Sequence, residues 1–133
     1  MGGGPAVPRP SAALSPMQQG APRHERRVIL VAANLSRWRR EGRRLPVIAG
    51  FAFAEPEAIN PALLRDVELV LSALMDDGFD ALDVARRLQA AAYRGRYRAI
   101  SVPLPDPAAV LAEVRAEAPG LDFDLIFQDP RPP

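Results

Sequence analysis

Asp76 and Asp77 stand side by side after an apolar run, an arrangement that offers a hard divalent cation two carboxylates. Adjacent residues of an extended loop point apart, however, and Asp77-Gly78 is an ordinary turn signal, so no metal site is expected there. Asp80 and Asp83 read as a helix cap and a first-turn charge. Beyond residue 25 the hydroxyls able to attack a carbonyl or phosphoryl centre are Ser36, Ser72 and Ser101, and each would need a base. The chain has no cysteine and no lysine, and its one histidine, His24, falls in a Gly/Pro/Ser-rich stretch where a solvated ring is expected. It also lacks a phosphate-loop lysine motif, a G-x-G-x-x-G run and a carboxylate pair at motif spacing. Neither catalysis nor a bound cofactor is expected.

What remains is binding chemistry. Arg37, Arg39, Arg40, Arg43 and Arg44 surround Trp38, and Arg94, Arg96 and Arg98 form a second cluster. Guanidinium groups beside an aromatic ring can engage phosphates and bases, which makes nucleic-acid binding the alternative reading. Net charge is +1 but unevenly placed: nine arginines against Glu25 and Glu41 through Arg44 give +7, and eight arginines against fourteen acids afterwards give −6. The acidic part would repel a phosphate backbone. Trp38 also stands at helical spacing from Leu35, which points it toward a core.

The chain has 133 residues, 48% of them apolar, enough for one domain with a buried core. Threonine is absent as well as lysine, while Arg, Ala and Pro are abundant, the bias of a GC-rich bacterial coding sequence. No leader and no run of about 18 apolar residues is present, so a cytoplasmic location without membrane contact is expected. Residues 1–25 mix Gly, Pro, Ser and Ala without an apolar period and read as a disordered tail. A domain over 26–130 and a short C-terminal tail at 131–133 follow.

Within that domain short apolar runs alternate with helical patterns, the mark of a parallel sheet with crossover helices. Strands are predicted at 28–32, 45–53, 68–73, 97–102 and 121–128, and helices at 35–44, 60–65, from Asp80 to the turn before Gly95, and from Asp106 to 118. Asp80 caps the third helix, whose apolar stripe is Leu82, Ala85, Leu88 and Ala92. Asp106-Pro107 combines a cap with proline at the first helical position. Five strands with right-handed crossovers predict a three-layer α/β domain with sheet order 2-1-3-4-5.

With that topology the segment ELVLSALMDDGFDALDVARRL (68–88), through Tyr93-Arg94-Gly95 and the fourth strand, resembles the middle of a response-regulator receiver domain. The first two units match by pattern only. The resemblance implies carboxylates after the first strand to hold Mg²⁺, an acceptor Asp ending the third, a hydroxyl ending the fourth and a lysine ending the fifth. Those positions fall here on Ala32, Ala33 and Asn34, on Ala73, on Ser101, and on Gln128 or Asp129. Only Ser101 keeps its type. A degenerate receiver of this kind would be regulatory, acting through a protein partner and not through phosphoryl transfer. Asn34 and Ser101 could still offer hydrogen bonds to a small ligand in the former phosphate crevice.

A fifth helix does not follow the last predicted strand, because the chain runs into DPRPP. One face of a doubly wound sheet would then be poorly covered. Val28, Leu30, Phe123, Leu125 and Phe127 are expected to divide into two alternating sets, one of them exposed. A protein partner, or a second copy forming a dimer, is expected to dock near the fourth and fifth strands, on a surface including Trp38, Arg40, Arg44, Phe123, Leu125 and Phe127.

Overall fold

The computed structural model describes residues 28–129, so the predicted N-terminal and C-terminal tails, with His24, lie outside the described residues. The apolar run VILVA forms β1 (Val28–Ala32), followed by α1 (Leu35–Arg40), capped by the Asn34 side chain. β2 (Phe51–Ala54) leads through a single turn of 3-10 helix at Pro56–Ala58 to β3 (Val67–Ala73). A tight hairpin, β4 (Met75–Asp76) and β5 (Phe79–Asp80), turns on Gly78 at φ +93°. α2 (Ala81–Ala90), β6 (Arg96–Ser101), α3 (Pro107–Glu117) and β7 (Asp122–Phe127) complete the described chain.

β1, β2, β3, β6 and β7 form one parallel sheet in the order β2-β1-β3-β6-β7. The architecture is α/β: a five-stranded parallel sheet with three α-helices. Among the described residues no helix is long and apolar enough to cross a membrane.

The two predicted caps form as their chemistry requires. Asp80 Oδ1 accepts from the Asp83 N–H at 3.0 Å and Asp83 Oδ2 accepts from the Asp80 N–H at 3.0 Å, a reciprocal box that satisfies two orphan donors of α2. Asp106 Oδ1 accepts from the Ala109 N–H at 3.2 Å, with Pro107 locked into helical φ beside it.

Three predictions fail at their edges. The helix expected over 35–44 ends at Arg40, because Gly42 takes φ +74° and turns the chain away. The strand expected from residue 45 begins only at Phe51: residues 41–50 are all exposed, and Gly50 at φ +83° forms the turn that admits the chain to the sheet. No helix forms over 60–65. Asn60 Oδ1 accepts from the Leu63 N–H at 2.9 Å as a cap would, but the chain stays in turns that drop Ile59 and Leu64 into the core.

α2 also ends differently from the sequence expectation. The left-handed residue is Ala92 at φ +59°, ahead of Gly95, with the Tyr93 N–H bonded to the Leu88 carbonyl and the Ala92 N–H to that of Gln89. This is a Schellman closure built on alanine. Gly95 serves another purpose, since a Cβ there would strike the Tyr93 ring.

Strand register decides which side chains share a face. Leu30, Val70, Tyr97 and Phe123 pair across the sheet, as do Ala32, Ser72, Ala99 and Leu125. This set lies under α2 and α3 with Val84, Ala85, Leu88 and Val114 and forms the core. The other face carries Ile29 and Val31, Phe51 and Phe53, Leu69 and Leu71, Arg98 and Ile100, and Asp122, Asp124 and Ile126. None of these belongs to the core cluster or packs against it. Val28, Leu30, Phe123, Leu125 and Phe127 therefore do not split between two faces: register places all five on the helix-covered side.

Candidate functional site

Two regions answer to the sequence-predicted site residues: the carboxyl ends of the strands, and the face of the sheet opposite α2 and α3.

At the carboxyl ends, Ala32 and Ala33 are buried and offer only methyl groups. Asn34 is committed twice within the protein. Its Oδ1 accepts from the Arg37 N–H at 2.9 Å, and its Nδ2 donates to the Asp77 carbonyl at 2.8 Å, so it latches the start of α1 to the β4–β5 turn. Gly78 sits against this latch: a Cβ there would lie 3.6 Å from Asn34 Nδ2. Asp76 accepts from Arg37 Nη1 at 3.2 Å and from the Asp77 N–H at 2.7 Å. A guanidinium thus neutralises the carboxylate best placed to hold a cation. Among the described residues no group of three or more Asp, Glu, His or Cys converges.

Ala73 ends β3 exposed, without a polar atom on its side chain. The Ser101 hydroxyl turns back to its neighbour, donating to the Val102 carbonyl at 2.7 Å. Gln128 is exposed, and its backbone N–H extends the β6–β7 ladder to the Ser101 carbonyl at 2.7 Å. Ala32, Ala33 and Ala73 thus offer methyl groups, and the polar atoms of Asn34 and Ser101 are spent on hydrogen bonds within the chain. Clefts among the described residues include one of about 380 Å³ lined by Glu57, Phe79, Asp83 and Arg86, and one of about 170 Å³ between α2 and α3, lined by Leu74, Leu82, Val110 and Val114.

Ser72 is 2% exposed, and its hydroxyl lies 2.6 Å from that of Tyr97 under α2. The Ser72 hydroxyl also reaches the Ala73 carbonyl at 2.9 Å. Burial pushes the Tyr97 hydroxyl well above the usual tyrosine range, the hydrogen bond to Ser72 acting weakly the other way. The pair is a satisfied polar island in the core, not a nucleophile with a base.

The opposite face, called here the open face, is different in kind. The one described helix on it is α1, which has no buried residue. It sits over β2: the Trp38 ring lies 6.1 Å from that of Phe53, and the Ser36 hydroxyl donates to Glu55 at 2.8 Å. Arg43 stacks over Trp38 at 4.4 Å. Over β3, β6 and β7 the face carries Leu69, Leu71, Ile100 and Ile126, the last 43% exposed, without a covering helix among the described residues.

Its far side is polar. Arg98 Nη1 donates to the Asp122 carbonyl at 2.8 Å and lies 3.4 Å from Asp122 Oδ1, while Asp124 Oδ1 accepts from the Leu125 N–H at 2.8 Å. Of the surface residues expected from sequence, Trp38, Arg40 and Arg44 lie on or around the open face. Phe123 does not, being 2% exposed in the core; Leu125 packs half-buried beside it, and Phe127 is exposed at the end of the covered side. The residues that sequence reasoning missed are Ile29, Val31, Leu69, Leu71, Ile100 and Ile126, each the alternate neighbour of a core residue in its own strand.

The chain matches no protein-family model, no curated protein and no solved structure. Its functional reading therefore rests on its own residues.

Proposed function

We propose that this chain is a receiver-like module without phosphoryl-transfer chemistry, working in the bacterial cytoplasm by docking a protein partner and not by catalysis. One observation carries the reading: a sheet face that carries apolar side chains from all five strands and is covered, among the described residues, by a single six-residue helix. A parallel sheet normally buries both faces, so such a surface is completed by association.

Counted along the large sheet alone, the strand order β2-β1-β3-β6-β7 reads 2-1-3-4-5, which supports the flavodoxin-like comparison. The small-ligand reading draws less support, because Asn34 and Ser101 both spend their polar atoms internally. The nucleic-acid reading draws less as well, because the Trp38 ring already packs near Phe53 and carries Arg43 over it.

Two measurements test the proposal. Incubation with acetyl phosphate and Mg²⁺ leaves the mass of the chain unchanged; a phosphoryl adduct would overturn the reading. Wild-type bait retains a partner that Leu71→Asp bait releases, and equal retention by both would show that the open face is not the docking surface.

A further inference from the structure

The open face has two unlike halves. Over β2 lies α1, whose Arg39 and Arg40, with Arg44 in the turn that follows, are exposed and pair with no carboxylate among the described residues. Over β6 and β7 no helix lies among the described residues, and the strands present Ile100 and Ile126 with Arg96, the Arg98–Asp122 pair and Asp124, whose carboxylate pairs with no arginine among the described residues. From β3 to β7 is two strand spacings, about 10 Å, which is the diameter of one helix with its side chains. The strip has room for one more helix, and Asp124 is left there as a carboxylate without an arginine partner among the described residues.

We infer that a second copy of this chain closes the open face, related by a two-fold axis parallel to the strands. That operation brings β2 of each copy opposite β7 of the other, so each α1 fills the vacant strip over its partner's β6 and β7. The two sheets share one layer of helices. The inference rests on the docking role proposed above and commits it to one occupant.

Three features of the chain favour this arrangement. Rotation about an axis parallel to the strands preserves height along them, and the heights agree. α1 starts at the carboxyl end of β1 and descends about 9 Å over six residues, which leaves Arg40 level with the lower half of β7, where Asp122 and Asp124 lie. Arg40 stands two helical positions beyond Trp38, about 200° around the axis from a ring that faces the sheet, so it points outward to the partner. An isologous interface requires such self-complementarity: the unpaired Arg40 of each copy meets the unpaired Asp124 of the other.

The third feature is at the sheet edges. On β7 the outward Phe123 carbonyl accepts from Arg115 Nη2 at 3.1 Å, and the outward Leu125 N–H is taken by Asp124 at 2.8 Å. β2, the other edge, is four residues long. Both edges are blunted against strand addition, which directs association to the face.

Sedimentation equilibrium on the full chain tests the inference. The expected result is a dimer whose dissociation constant rises at least about tenfold with Asp124→Arg or with Arg40→Asp plus Arg44→Asp. Combining the reversals recovers affinity to within about threefold of wild type, as a coupled pair requires. Unchanged circular dichroism establishes that the variants fold. A monomeric wild-type chain, or reversals that weaken the dimer without mutual rescue, would overturn the inference. If the wild-type chain is monomeric but Leu71→Asp still abolishes capture of another protein, the docking role survives while the second copy is ruled out. Should Leu71→Asp leave capture intact, the docking role itself falls.

Discussion

The two faces of the sheet are built from alternate residues of the same strands, yet they differ in almost every physical respect. On the covered face Leu30, Val70, Tyr97, Ala99 and Phe123 are buried beneath α2 and α3, and the polar groups there, Ser72 and Tyr97, satisfy each other. On the open face the aliphatic side chains are half-buried or exposed, and Arg98 and Asp122 stand among them. A period of two residues separates a side buried beneath helices from a side left half-buried or exposed among the described residues, the side proposed above for association. The difference teaches that the stability and the function of this chain can be perturbed separately.

The largest expected effect breaks that comparison if it fails. Leu88→Ala, at a fully buried site on α2, is expected to destabilise the fold by about 3 kcal/mol, since it forfeits transfer energy and leaves a cavity. Leu71→Ala on the open face is expected to cost less than about half of that in the monomer. Urea unfolding of both, followed by circular dichroism, gives the ratio. Equal losses would mean the open face is as well packed as the covered one.

Alkaline pH sharpens the same contrast. Burial holds the Tyr97 hydroxyl above its ordinary value of 10.0 and pushes that of Tyr93 up to about 12, so the unfolded chain releases these protons first. Stability is therefore intact below about pH 10 and falls as pH rises beyond it. Tyr97→Phe should flatten the decline, and tyrosinate absorbance should appear together with unfolding. Tyrosinate formation in a fully folded chain would contradict the buried pair.

Smaller effects belong to the helix ends that hold the covered layer. Asp80→Ala removes the side-chain acceptor of the α2 capping box and is expected to cost about 1 kcal/mol, read from the urea midpoint. Ala92→Gly relieves a left-handed alanine and is expected to raise stability by about 0.5–1 kcal/mol, seen as a higher Tm.

Local chemistry was legible in the sequence, and long-range pairing was not. Asp80 with Asp83, Asp106 with Pro107, and the Asp77-Gly78 turn each depend on neighbours within a few residues, and each forms as read. The strand runs were legible for the same reason. Which alternate residues face the helices depends on register between strands tens of residues apart, and for that reason Phe123 was misplaced on a surface. The Arg37–Asp76 contact, which blocks the one tempting carboxylate, spans 39 positions, and the Ser72–Tyr97 pair spans 25. Gly42 and Gly50 gave a visible signal: read as turn formers at positive φ, they would have ended α1 and delayed β2 correctly.

The most direct test of the central claim is the solution mass of the full chain and of its Leu71→Asp variant, measured by sedimentation over a range of concentrations. Closure of the open face by a second copy predicts a wild-type dimer and a folded, monomeric variant with unchanged circular dichroism. A wild-type chain that remains a single monomeric species at every concentration, or a variant that dimerises as well as wild type, would contradict it.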